Sequence, residues 1–256
     1  MTNLSLYHNF CIDTFESILS KKEKYSKNFD NAIFKYALKG GLIGQYAETY
    51  CINGEEMKFW DIDYNGKKHR KLNEWRVLLA SEDAIKGIEE IETGKKEYSK
   101  KGNSNCPYYE HIEPKSKIYE KVIKIENPTK QKIIKALQYC KVIMITQKEK
   151  DFLDSKKISL FNKRDEEILH SWHSSNYISN ETLKESTSSI KKTDGVYISA
   201  RDNGNAYARL AHLVANGVKF RWICNPNKSY NQDQDVNQGE LISQYLENND
   251  RLYSLI

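Results

Sequence analysis

The chain is short of apolar residues: 39% of its 256 positions are hydrophobic and 29% are charged, against roughly 45–50% apolar usage in ordinary soluble domains. No run approaches the ~18 consecutive apolar residues of a membrane-spanning helix, so no membrane partner is expected. The opening stretch MTNLSLYHNFCIDTFESILSKKEK lacks a basic start followed by an apolar run, so no secretory leader is read there. The five cysteines, at positions 11, 51, 106, 140 and 224, are odd in number and form no Cys-x-x-Cys. That speaks against a disulfide framework and a zinc knuckle, and a reducing, cytoplasmic setting is the expectation. There is no internal repeat.

What is present suffices for a fold. The length allows one large domain or two small ones. The 17 tyrosines and 8 phenylalanines are too many aromatics for a disordered chain. A net charge of +5 permits a nucleic-acid partner without requiring one.

Apolar spacing predicts helix from Asn9 to about Lys39, as two helices or one bent helix interrupted near Lys24–Asn28, and stopped by Gly40-Gly41. A short helix is read over Leu42–Tyr50. The alternation in Met57–Tyr64 predicts a strand, turned by Asn65-Gly66 into a second strand over Lys67–Leu72. Ser81 reads as the N-cap of a helix ending near Thr93. After a polar stretch, Pro128-Thr129 opens a helix through Tyr139. Val142–Thr146 reads as a buried strand, and Gln147–Asp154 as the helix that follows it. Residues Ile158–Lys192 read as a flexible or peripheral module with helical patches such as Arg164–His173. Gly195–Ser199 and Val218–Cys224 are expected strands, Asn205–Ala215 an amphipathic helix ended by Asn216-Gly217, and Glu240–Leu255 a terminal helix. The expected class is α+β, in three parts: residues 1–105 with helices and a hairpin, 106–157 with a strand–strand–helix segment, and 158–256 with a strand–helix–strand region.

The chemistry concentrates in Cys106-Pro-Tyr-Tyr-Glu110-His111-Ile112-Glu113-Pro114-Lys115-Ser116. Hydrolysis of a phosphodiester needs a group that takes a proton from water and a group that steadies the phosphate. Histidine suits the first task because its ordinary pKa lies near neutrality. A carboxylate suits a hard ion such as Mg²⁺. Adjacent strand residues point to opposite faces, so Glu110 and His111 share a site only where the backbone bends, and Pro114 favours an irregular backbone just before it. Lysines 115, 117, 121, 124, 130, 132, 135 and 141 outnumber Glu120 and Glu126 among them. They fit a phosphate-facing surface or a solvated one.

Glu110-His111-Ile112-x-Pro114-x-Ser116 resembles the first strand of the His-Me finger (HNH) nucleases. The resemblance implies a metal-dependent nucleic-acid endonuclease, and the expected function is a DNA endonuclease of restriction or mobile-element type. The resemblance implies His111 as the base and Glu110 as a ligand of Mg²⁺; Lys115 and Lys117, from the basic cluster, are the expected phosphate contacts. The following strand and helix map onto Val142–Thr146 and Gln147–Asp154. That helix carries no histidine, so the last ligand falls to Glu149 or Asp151. Asn127 is the asparagine nearest the second strand.

Asp61 and Asp63 share a strand face, with Glu74 and Lys68 or Lys71 beyond, but lack the Glu-x-Lys spacing of another nuclease class. His170 and His173 have metal-ligand spacing on a helix without a third ligand. Gly40-Gly41-Leu42-Ile43-Gly44 follows a helix rather than a strand, unlike a phosphate loop. Arg201, Arg209 and Arg221, with Tyr197 and Tyr207, fit nucleic-acid contacts or surface arginines over an aromatic core, the second being the preferred reading; His212 reads as packed. Two other functions remain open: nucleic-acid binding without catalysis, and a metal-independent enzyme acting on a base or glycosidic bond through Glu110 or Asp61.

Overall fold

A computed structural model describes residues 6–22, 24, 31–52, 55–58, 79–93, 107–155, 158–201, 203–221 and 237–247. The class is α+β. A small mixed sheet is covered by helices drawn from along the whole sequence.

The N-terminal helix α1 (Leu6–Ser20) buries Cys11, Ile12, Phe15 and Leu19. That spacing places one stripe of the helix against the core. Its His8 ring Nε2 donates to the Tyr46 carbonyl at 3.0 Å. Helix α2 (Ala32–Tyr36) starts at Asn31, whose side chain accepts from the backbone of Ile33 and Phe34. Gly40-Gly41 does not stop it. The chain widens into a π-helical stretch, Ala37–Ile43, and continues as α3 (Gly44–Glu48). Neither glycine adopts the positive φ that ends a helix. Buried Leu38 and Ile43 pin the wider turn on either side of the pair.

A two-stranded ribbon follows, β1 (Thr49–Ile52) antiparallel to β2 (Glu55–Lys58), with Ile52 opposite Glu55. Asn53-Gly54 between them is the same dipeptide that drew the sequence reading to positions 65–66. The expected Asn65-Gly66 turn and second strand lie outside the described residues, as do Asp61, Asp63 and Glu74.

The main sheet is formed by β3 (Ala80–Ser81), β4 (Pro107–His111), β5 (Val142–Thr146) and β6 (Phe220–Arg221), in the order β4-β5-β3-β6. Strand β3 (Ala80–Ser81) leads into α4 (Glu82–Glu92). Ser81 Oγ accepts from Ala84 N at 3.1 Å, the N-cap geometry expected from its position. Strand β4 (Pro107–His111) pairs antiparallel with β5 (Val142–Thr146), with Glu110 opposite Ile143 and His111 opposite Val142. All five residues of β5 are buried: it lies between β4 and β3, running parallel to the latter. Strand β6 (Phe220–Arg221) closes the far edge, antiparallel to β3.

Between β4 and β5 stand α5 (Lys115–Ile123) and α6 (Lys130–Leu137). Helix α6 is capped by Thr129, as the sequence suggests; α5 is new. Pro114 supplies its first carbonyl, taken by Lys117 N at 2.8 Å. Asn127 sits in the connecting turn at φ 47°, not at the start of a strand. Helix α7 (Gln147–Asp154) follows β5 without a break, through a capping box of Thr146 and Glu149.

The stretch read as flexible or peripheral is built into the core. It forms α8 (Lys163–Ser174) and α9 (Asn180–Ile190), which bury Leu169, Trp172 and Ile190. Gly195–Ser199 is not a strand; Tyr197 and Ser199 make isolated bridges to Lys191 and Leu160. Helix α10 (Ala206–Ala215) is enclosed rather than amphipathic, with nine of its residues buried, and packs on α7, α8, α9 and the last helix α11 (Gln238–Glu247). It ends at Gly217, φ +86°, where Val218 N reaches back to Leu213 O at 3.0 Å. Trp222–Cys224 and residues beyond Glu247 lie outside the described set. Among the described residues no helix is long and apolar enough to cross a membrane.

Candidate active site at the end of strand β4

Strand alternation puts Tyr108 and Glu110 on one face of β4 and Tyr109 and His111 on the other. The Glu110 face meets α7 and α10. Its Oε1 accepts from Arg209 Nη2 at 2.9 Å, and its Oε2 lies 3.6 Å from Lys150 Nζ. The Lys150 ammonium also pairs with Asp154 one turn on and stands 4.9 Å from the centre of the Tyr108 ring. Burial pushes the Glu110 carboxyl above the usual carboxylate range, against the pull of Arg209 and Lys150. Burial likewise lowers Arg209, against the attraction of Glu110, Asp154 and Glu113. Burial also works against the Lys150 ammonium, but its hydrogen bond to Asp154 and the charges of Glu110 and Asp154 raise it overall.

Arg209 is 2% exposed and therefore not a surface phosphate contact. Its Nη1 donates to the Ala200 carbonyl at 2.8 Å, and its Nε has no hydrogen-bond partner among the described residues. The other two arginines differ from it. Arg201 is exposed, while Arg221 Nε donates to Glu82 Oε1 at 2.8 Å. The Tyr207 ring is buried and its hydroxyl donates to Glu247 at 2.7 Å, so it cannot stack on a base. Tyr197 donates to Glu166.

His111 is half-buried at the last position of β4. The ladder runs one bond further, from Ile112 N to Lys141 O at 3.0 Å. The chain then bends through Glu113 and Pro114 into α5, whose first turn carries Lys115 and Lys117, both half-buried. The Lys115 ammonium is 3.3 Å from where a Cβ on Gly44 would stand, so it packs on that glycine. Glu113 is 2% exposed. One of its oxygens meets Lys121 at 2.6 Å, and the other has no hydrogen-bond partner among the described residues.

Glu149, the other expected ligand, belongs to a different cluster. Its Oε2 accepts from Ser81 Oγ at 2.6 Å, Thr146 N at 2.7 Å and Thr146 Oγ1 at 3.0 Å. Burial raises its carboxyl, and these hydrogen bonds oppose the rise. The donor sets therefore do not fit one ion shared by Glu110 and Glu149: the first is held by two cations and the second is consumed in capping a helix. Asp151 is exposed on α7. His170 is exposed and His173 half-buried on α8. No group of three or more His, Cys, Asp or Glu side chains suited to an ion stands among the described residues.

His212 is packed, as its helix position suggests, at 0% exposure. Its Nδ1 is 3.0 Å from Asp165 Oδ1, and its Nε2 faces the carbonyls of Phe152 and Ile158 at 3.1 and 3.3 Å. It locks α10 to α8 and to the end of α7. Lys150, Asp154 and Glu113 join the site without being expected there from the sequence. The i,i+4 spacing of Lys150 and Asp154 was a signal for their own pairing, but nothing local points to Glu110 or to Arg209, 99 residues away. Comparison with protein-family models, with curated proteins and with solved structures finds no match to this chain.

Proposed function

We propose that this chain is an endonuclease acting on double-stranded DNA, with His111 as the group that takes the proton from the attacking water. The observation that supports the reading is the arrangement around His111. An antiparallel pair, β4 and β5, runs without a break into α7, and the histidine ends the first strand. The resemblance implies strand, strand and helix in that order, and here α5 and α6 are inserted between the two strands. In the reaction, water attacks phosphorus, the P–O bond to the leaving nucleotide breaks, the imidazole holds the water's proton, and the leaving oxygen takes a proton from solvent. Lys115 and Lys117, in the first turn after the bend, are the cations nearest in sequence for orienting the phosphate.

The assay is cleavage of supercoiled plasmid with Mg²⁺ and with EDTA. Nicking or linearisation is expected from the wild type, with a loss of about 10²-fold in His111→Ala, the low end for removing a general base. Cutting that persists in EDTA removes the ion from the mechanism. A full rate in His111→Ala removes His111 from it.

A second reading, nucleic-acid binding without catalysis, is favoured by one observation: both expected ligand carboxylates are occupied by protein partners. It predicts salt-sensitive retention of labelled duplex, no cutting with any divalent ion, and unchanged binding in His111→Ala.

A further inference from the structure

We infer that Arg209 is a positioning residue for His111, a role that rests on the nuclease reading above. The guanidinium is enclosed, so it does not meet substrate. It reaches from α10 to the end of β4 and holds the carboxylate of the residue immediately before His111. Its second arm is tied to the Ala200 carbonyl, which fixes the guanidinium at both ends. A strand end with no such anchor is free to twist. With Glu110 fastened on one face, the position of the next side chain on the other face is set, because consecutive residues of a strand project in opposite directions. Lys150 and Asp154 complete the clamp from α7. Arg209 thus acts on the reaction through Glu110 and the strand.

This role separates from two others by kinetics. Removing a phosphate-contacting arginine raises KM and lowers the slope of log affinity against log salt by about one unit. Removing a merely structural arginine lowers the folded fraction and nothing else. Removing a positioning arginine lowers kcat at unchanged KM. The experiment compares wild type, Arg209→Met, Arg209→Lys, Glu110→Gln, the double variant R209M/E110Q and His212→Gln in plasmid cleavage, all below their melting transitions. His212 lies on the same helix and is equally enclosed, yet it has no contact with β4 among its hydrogen bonds.

The expected result is a tenfold or larger fall in kcat for Arg209→Met with KM within twofold, partial recovery in Arg209→Lys, and wild-type kcat in His212→Gln. The double variant should be no slower than the slower single variant, because the two residues act as one unit. Four results overturn the role: an unchanged kcat in Arg209→Met, a raised KM with a reduced salt slope, a kcat loss in His212→Gln equal to that of Arg209→Met, or multiplicative losses in the double variant. Where Arg209→Met does not fold, Arg209→Lys and Glu110→Gln carry the same comparison. A wild-type chain that cuts no DNA overturns the nuclease reading and this role together, whereas cleavage that ignores Arg209 overturns this role alone.

Discussion

Arg209 and Glu110 illustrate how burial alters what a charged residue can do. Each partner is shifted toward its neutral form, chiefly by desolvation, so the pair persists because each charge would be worse off alone. Replacing Glu110 removes the carboxylate that Arg209 touches, and replacing Arg209 leaves Glu110 only the longer contact with Lys150; breaking a buried pair in this way costs up to about 3–5 kcal/mol. Replacing both with apolar side chains of similar size costs far less. Glu110→Met and Arg209→Met are each expected to lower the urea midpoint sharply, and the double variant is expected to recover most of the loss. The coupling energy is read from the double-mutant cycle. Additive losses would mean that the two charges are independently solvated.

The elements that sequence periodicity reported best are those whose neighbours in the chain settle their environment. Val142–Thr146 is an unbroken apolar run and proves to be the fully buried strand β5. Thr129, Ser81 and Asn205 cap the helices that follow them. The misread elements depend on distant partners. Gly40-Gly41 stays helical because Leu38 and Ile43 are held from outside. Residues 163–190 look polar, yet α8 and α9 order because they pack on each other and both pack on α10. The site divides in the same way. His111 at the end of a strand followed by a bend was legible from Glu110-His111 and Pro114, but the partners of Glu110 and Glu149 were not, because they come from α10 and β3.

Glu149 carries the element-scale prediction. Its carboxylate closes the capping box of α7 and also receives Ser81, the cap of α4. Glu149→Ala removes the acceptor that joins two helix starts, at about 1 kcal/mol per lost cap. The melting temperature should fall by several degrees, while plasmid cleavage per folded molecule and its response to Mg²⁺ remain unchanged. Loss of the Mg²⁺ response at normal stability would instead make Glu149 a ligand.

At the scale of the whole molecule, a few polar contacts tie together segments far apart in sequence: Arg209 to Glu110, Ser81 to Glu149, and Lys141 to the end of α11. One continuous hydrophobic cluster runs through residues from Ile12 to Leu246, so the strand–strand–helix segment does not stand apart from the rest. Lys141 gives this unity a measurable pH dependence. Its ammonium donates to the carbonyls of Tyr245 and Leu246 at 2.6 and 3.0 Å and lies 5.2 Å from the centre of the Tyr245 ring. Burial lowers it to about 7, and the Glu247 carboxylate opposes that fall. The hydroxyls of Tyr139 and Tyr207 share the same carboxylate and are raised by burial, so they stay neutral across the range. In the unfolded chain the lysine binds a proton below its ordinary value of 10.5, and in the folded chain only below about 7. Between those limits the unfolded state holds more protons, so the contribution of this group makes stability rise with pH from about 7 toward 10.5. Lys141→Met removes that contribution. Urea midpoints of wild type and Lys141→Met, measured at intervals from pH 7 to pH 9.5, should therefore differ progressively, with the wild type gaining on the variant as pH rises. Parallel profiles would mean that the lysine keeps its proton throughout and that its contact with α11 is an ordinary charged cap.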